Sequence, residues 1–243
     1  SYTHMAVEII DNSIDELTVN GSVGSHLDVT YDEKTKEFSV ADDGSGIPLE
    51  KLFDVLTKLA ASGKFNNGEN SAYQATAGRW GHGLKTAVFL SDHCEFTSMR
   101  DGKSLKYIFE DGNMIKKIED KSDKHGTYSK FHIDLSIIDY REVTWKNIYD
   151  RLVDKSYLFP ELKITYTVLD GKKEVKKYKF GGKDIEDRVE QWKPDTAVIR
   201  VKEKRPVTFL KNITDDKLTT EKVNIDIVFA FKEAVLDADD RNE

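Results

Sequence analysis

The chain has 243 residues, with 44 acidic side chains against 37 lysines and arginines (a net charge of -7), 38% hydrophobic and 33% charged residues. This is an ordinary globular composition with room for a core, and its acidity argues against this stretch being the main nucleic-acid surface, which is usually basic. No run of about 18 apolar residues offers a membrane span, no basic-then-apolar leader is visible, and the single cysteine, Cys94, rules out an internal disulfide and fits a reducing cytoplasm.

In chain order, residues 4–18 read as an amphipathic helix. Glu8, Asn12 and Asp15 fall on one face at i, i+4 and i+7, while Ile9, Ile10, Ile14 and Leu17 fall largely on the other. A carboxylate, an amide and a second carboxylate in one file, with no lysine or arginine beside them, suit a group that holds a divalent cation and polarises a water. A solvated helix face is the plainer reading of the tract by itself. His26–Tyr31 and Glu37–Ala41 alternate as a hairpin turning through Asp32-Glu33-Lys34. Asp42-Asp43-Gly44-Ser45-Gly46-Ile47-Pro48 is a glycine-rich turn, and Leu49–Leu59 regains helical periodicity.

Ala60 to Ala77 is poor in apolar side chains and rich in Gly, Asn and Ser. A long segment of this kind inside a compact domain is a functional lid or a disordered loop. Gly83–Leu90 reads as a helix. His93–Met99 and Leu105–Glu110 pair through Arg100-Asp101-Gly102-Lys103, and Gly126–Leu135 is another strand. Asn147–Leu158 is a helix, and Leu162–Leu169 with Lys173–Phe180 forms a hairpin through Asp170-Gly171. Helices set against a mixed, mainly antiparallel sheet give an α+β layer. Trp192-Lys193-Pro194 closes this region, so the expected domains are 1–193 and 194–243, the second opening with strands at Ala197–Val201, Pro206–Leu210 and Val223–Phe231. Both ends look like cuts through a larger protein. The lysine cluster at 172–179 reads as a solvated hairpin edge.

Three further motifs carry chemistry. Asp42-x-Gly44-x-Gly46 allows a tight turn and close approach of a flat ligand, with a carboxylate able to accept from an exocyclic amine. Alone it is also an ordinary turn. Gly78-Arg79-Trp80-Gly81-His82-Gly83-Leu84-Lys85-Thr86 approaches a P-loop, but a P-loop places lysine directly after the second glycine. Here Leu84 intervenes, so what survives is a glycine-rich loop feeding a helix start, a setting suited to phosphate oxygens. Gly126-Thr127 heads a strand, with a hydroxyl able to make a second contact to a base.

The order of these pieces (carboxylate–amide helix, Asp-Gly turn, long lid with glycine loop, Gly-Thr strand) resembles the Bergerat-type, or GHKL, ATP-binding family. That family includes the B subunit of DNA gyrase, mismatch-repair MutL, heat-shock chaperones and sensor histidine kinases. His4-Met5-Ala6-Val7-Glu8-Ile9-Ile10-Asp11-Asn12-Ser13-Ile14-Asp15-Glu16 looks like the first motif of the type II topoisomerase ATPases. Leu56-Thr57-Lys58-Leu59-Ala60-Ala61-Ser62-Gly63-Lys64-Phe65 resembles the segment leading into their lid. The resemblance covers most of residues 4–183 and continues weakly through Pro206–Phe231, which looks like the opening of a transducer domain.

The resemblance implies a two-layer sandwich of helices on the sheet, with a lid at about 60–83. It implies ATP and Mg²⁺ as ligands, Glu8 as general base with Lys64 as second catalytic candidate, and Asn12 as the Mg²⁺ ligand. Asp42 would hold the adenine amine, helped by Thr127, with Asp15 on the base side and Gly44, Gly46, Ile47 and Pro48 shaping the turn. Gly78, Gly81, His82, Gly83, Leu84 and Lys85 would wrap the phosphates, and Arg100 would stand at the pocket mouth. Bacterial gyrase has an arginine where this chain has Ser45, which cannot make that arginine's salt bridge to Glu16. The sequence also lacks the family's N-terminal arm and stops before the transducer lysine that meets the γ-phosphate. The implied protein is a cytoplasmic topoisomerase ATPase that contacts DNA through a dimeric parent, and this stretch is expected to be monomeric, weakly active and free of membrane contact. A MutL-like or MORC-like switch, and a nucleotide-binding module without turnover, are the alternatives.

Overall fold

The computed structural model describes residues 2–19, 21–58, 83–134, 136–137, 144–192, 194, 196–210 and 218–231. Its contacts group the chain into two units, 1–182 and 183–243.

The first unit runs α1 (Tyr2–Thr18), β1 (His26–Asp32), β2 (Glu37–Asp42), α2 (Leu52–Thr57), α3 (Gly83–Phe89), β3 (Ser91–Arg100), β4 (Lys103–Glu110), β5 (Asn113–Lys121), β6 (Gly126–Ile133), α4 (Trp145–Leu158), β7 (Lys163–Asp170) and β8 (Lys173–Phe180). The strands form one eight-stranded sheet in the order β5-β4-β3-β6-β2-β1-β7-β8. Every neighbouring pair is antiparallel except β1 and β7. A parallel pair needs a crossover of a dozen or more residues, and α4 lies on the connection into β7.

One sheet face is apolar because the strands alternate. Leu27, Val29 and Tyr31 of β1, Phe96 and Cys94 of β3, Phe109 of β4, Phe131 of β6 and Ile164, Tyr166 and Val168 of β7 are all buried. The helices cover this face, giving the α+β two-layer sandwich that the resemblance implies. α1 contributes Met5, Ala6, Ile9, Ile10, Ile14 and Leu17 to the same core. Each buried Ile or Leu stabilises by roughly 1.5–3 kcal/mol, so this stripe fixes which side of α1 turns outward.

Asp32 ties two turns together. It is buried, and accepts backbone N–H bonds from Lys34 (2.9 Å), Thr35 (3.1 Å), Gly171 (3.0 Å) and Lys172 (2.9 Å). Burial pushes its pKa up, but the four N–H donors outweigh burial and hold it below the usual carboxylate value.

Four elements differ most from the sequence reading. α2 is shorter than the expected 49–59, because the chain leaves Pro48 through tight turns, Lys51 N–H to Pro48 C=O (2.9 Å) and Leu52 N–H to Leu49 C=O (3.4 Å). Leu59 lies outside the described residues. β5 has no counterpart in that reading: every residue in it is exposed, so neither face imposes an alternation. Pairing to β4 after the Asp111-Gly112 turn, with φ of 47° and 73°, defines it instead. In the second unit, α5 (Ile185–Glu190) is new and is held by a capping box between Asp184 and Asp187. The stretches read at 197–201 and 206–210 belong to one strand, β9 (Ile199–Leu210), paired antiparallel with β10 (Leu218–Phe229).

Candidate functional site

α1 presents Glu8, Asn12 and Asp15 as three half-buried side chains beside a fully buried apolar stripe. They stand at the border between core and solvent, where a polar group can meet a ligand without being stranded. Gly83 opens α3 hard against the first of them. A Cβ built there would lie 2.9 Å from Glu8 Cβ and 3.3 Å from its Oε2. Only a glycine lets the α3 backbone approach that carboxylate this closely.

Asp42, at the end of β2, is the hub of the other side. It is buried, and its carboxylate accepts four hydrogen bonds. Oδ1 takes the backbone N–H groups of Gly44 and Thr127, each at 3.1 Å. Oδ2 takes the hydroxyls of Thr127 at 2.6 Å and Ser13 at 2.8 Å. Burial dominates these donors and pushes the Asp42 pKa above its ordinary value. Gly126 sits at φ 113°, and a Cβ there would fall 2.0 Å from the Asp42 carbonyl oxygen. The Gly-Thr pair is therefore a spacing requirement: glycine lets β6 close on β2, and the threonine then delivers two donors to one carboxylate.

The 44–48 turn is pinned from three directions. Glu16 of α1 accepts from the N–H of Ser45 at 3.1 Å and, more tightly, from its hydroxyl. Arg100 Nη1 donates to Gly46 C=O at 3.1 Å, and Ser98 Oγ to Ile47 C=O at 2.7 Å. His125 Nδ1 lies 2.8 Å from Gly44 C=O. So Ser45, although no salt-bridging residue, keeps a direct link to Glu16 by hydrogen bonding. Ile47 packs on the core and Pro48 is half-buried.

Lys85 lies on α3 with 2% of its surface exposed, and its Nζ has no hydrogen-bond partner among the described residues. Burial lowers its pKa. A buried unpaired ammonium is costly, and an anion would relieve it. Leu84 beside it packs on the core. Lys64, Gly78, Gly81 and His82 lie outside the described residues.

The sequence reading gave no role to Ser13 or Asp11. Ser13 sits between two members of the polar file, and its register toward β2 appears only when α1 is laid on the sheet. Asp11 points the other way, to Arg151 Nη2 at 2.7 Å and Lys155 Nζ at 3.0 Å on α4. Among the described residues no group of three or more His, Cys, Asp or Glu could hold a metal by itself.

Residues 1–143 match the family described as histidine kinase-, DNA gyrase B-, and HSP90-like ATPase. The chain is 35% identical over 176 residues to the B subunit of DNA topoisomerase 4 from Mycoplasma genitalium, covering 68% of this chain and 27% of that protein. It is 32% identical over 175 residues to the B subunit of DNA gyrase from Campylobacter jejuni, covering 67% and 22%. For the B subunit of DNA gyrase from Thermotoga maritima the identity is 30% over 194 residues, covering 75% and 29%. The chain thus spans less than a third of the length of these curated relatives.

Proposed function

Because this chain belongs to the family of histidine kinase-, DNA gyrase B- and HSP90-like ATPases, we propose that it binds and hydrolyses ATP between α1, the 42–48 turn and α3, as the ATPase region of a type II DNA topoisomerase. The observation that carries the reading is the buried Asp42 carboxylate, held by donors from α1, its own turn and β6.

In this reading Asp42 accepts the adenine amine. Its two backbone donors fix Oδ1, whereas the Ser13 and Thr127 hydroxyls on Oδ2 can rotate. A base amine can take the place of one hydroxyl, which then turns toward the ring or a water. Asp15 lines the base side, and Gly44, Gly46, Ile47 and Pro48 form the wall held by Glu16, Ser98 and Arg100. The phosphates run toward the start of α3, where Gly83 lets the backbone lie close to Glu8 and Lys85, without a hydrogen-bond partner among the described residues, offers a cation. Gly78, Gly81, His82 and Lys64 are proposed to complete the wrap.

Glu8 is the general base: its carboxylate faces the start of α3 and would take a proton from the attacking water. Asn12, one turn along the same face, fits Mg²⁺. A single hard amide oxygen and no acidic cage suit an ion that keeps most of its waters and is held mainly by phosphate oxygens. Bound there, Mg²⁺ would supply neutralisation of charge on the phosphates. The remaining catalysis is positioning and charge stabilisation around the γ-phosphate.

In the parent protein, ATP would close a dimer gate for passage of one DNA duplex through another, as its similarity to gyrase and topoisomerase 4 proteins suggests. The Leu84-Lys85 pair favours a second reading, a MutL-like or MORC-like switch, since it departs from the gyrase-like pattern that the rest of the chain resembles. Substituting Glu8→Ala should leave ATP binding by calorimetry within a few-fold and remove phosphate release. Retained hydrolysis in this variant would refute the role given to Glu8.

A further inference from the structure

β8 is one edge of the sheet and β5 the other. Over residues 161–182 the chain carries six lysines against three carboxylates, although the whole chain is at -7. The register sets Lys177 opposite Thr167 and Lys179 opposite Thr165. Ile164, Tyr166 and Val168 are buried under the helices. By alternation Lys163, Thr165 and Thr167, with Lys177 and Lys179, therefore lie on the open face, same-face neighbours standing about 7 Å apart along each strand. Lys176 faces the helices instead, its Nζ 3.6 Å from the Trp145 ring centroid. At the hairpin tip stand Lys172 and Lys173, with Lys34 against Gly171.

These cations are poorly compensated. Lys177 has Glu174 at 3.5 Å, with both side chains about half exposed. The ammonium groups of Lys34, Lys163, Lys172, Lys173 and Lys179 have no carboxylate partner among the described residues. Asp28 on β1 and Asp170 and Glu161 are the other carboxylates of this face and stretch. Edge strands carry lysine to repel other strands, but β5 meets the same need with nearly balanced charge: its three lysines stand among two carboxylates, and Lys117 pairs with Glu119 at 2.5 Å. Edge protection therefore does not account for the excess on β8.

We infer that the β7–β8 edge is a docking surface for the phosphate backbone of duplex DNA. Lysines interleaved with threonine hydroxyls supply charged and neutral donors to phosphate oxygens, a sequence-independent mode of binding. A lipid surface fits less well, because Val175 is the one large aliphatic side chain of β8 that is exposed. The inference rests on the reading that the parent acts on DNA, and it locates a binding face on a chain whose net charge points away from nucleic acid.

The test uses the whole 243-residue chain, a short labelled DNA duplex and fluorescence anisotropy from low to moderate NaCl. The chain should bind with an affinity that falls log-linearly with salt. Lys172→Glu, Lys173→Glu, Lys177→Glu and Lys179→Glu together should lower affinity at least about tenfold and flatten the salt slope by about 0.9 for each phosphate no longer neutralised. The same charge change at the opposite end of the sheet, Lys103→Glu on β4 with Lys116→Glu, Lys117→Glu and Lys121→Glu on β5, should have less than a third of that effect on a logarithmic scale. No salt-dependent binding, equal loss in both variants, or tighter binding to phosphatidylserine vesicles than to DNA would overturn the inference. ATP binding is measured on the same samples. Its loss in the unsubstituted chain would count against the ATPase reading, whereas normal ATP binding without DNA binding would count against this surface alone.

Discussion

Asp42 shows how one residue can cost stability and still be required. Its carboxylate is buried and its pKa is raised, so the ionised form is disfavoured in the folded chain. A raised folded pKa means that the group's contribution to stability is fully present below its unfolded pKa and is lost as pH rises through the folded value. Where the group is ionised, the buried charge is therefore a burden. Asp42→Asn keeps an acceptor at Oδ1 for Gly44 and Thr127, and its amide can donate to the two hydroxyls. The expected outcome is an unchanged or raised Tm with ATP affinity lowered at least about 100-fold, the order of a lost hydrogen bond to a charged group plus an opposed donor pair. The same logic gives a pH dependence: ATP binding should weaken as pH falls, beginning above the usual aspartate range, because the protonated acid presents a donor to the amine. Calorimetry across mildly acidic pH checks both statements.

At the scale of the element, α1 is set by two kinds of contact. Its apolar stripe presses on the sheet, and Asp11 binds Arg151 and Lys155 of α4. Asp11 is a near neighbour of Asn12 and Glu8 on the same helix, so this clamp sets the rotation at which the proposed chemical groups face α3. Lys155 has only 12% of its side chain exposed, so removing Asp11 strands a buried cation. Asp11→Ala should lower stability by about 3 kcal/mol, read as an earlier midpoint in urea, and Lys155→Met in that background should recover part of it. No recovery would mean that the loss comes from α1 itself and not from the stranded charge. The polar file of α1 was legible in the sequence because helical spacing is fixed at about 3.6 residues per turn. The clamp was not, because it joins residues 140 positions apart.

On the scale of the whole molecule, the proposed site is built within the first unit, from segments as distant in sequence as Ser13 and Thr127. We propose that the 243-residue chain by itself binds ATP as a monomer and hydrolyses it slowly, with turnover per molecule independent of protein concentration. Sedimentation with and without a non-hydrolysable ATP analogue, beside phosphate-release rates over a range of protein concentration, checks this. Rapid turnover by a monomer would contradict it.

The sequence by itself determined the α+β layer, the Glu8–Asn12–Asp15 file, the hairpin turns after β1, β3 and β7 and the family, because periodicity, turn residues and motif order are local and survive without neighbours. It left β5 unread, since a strand exposed on both faces has no hydrophobic alternation to display. Only the tertiary structure decided that Ser13 and Thr127 meet on Asp42, that Asp11 is a clamp, that Glu16 holds Ser45, and that the 172–179 lysines stand mostly uncompensated on one sheet edge. Hydrogen-bond and charge pairing depends on which distant segments the shared core brings within about 3 Å of each other, and no local pattern encodes that distance.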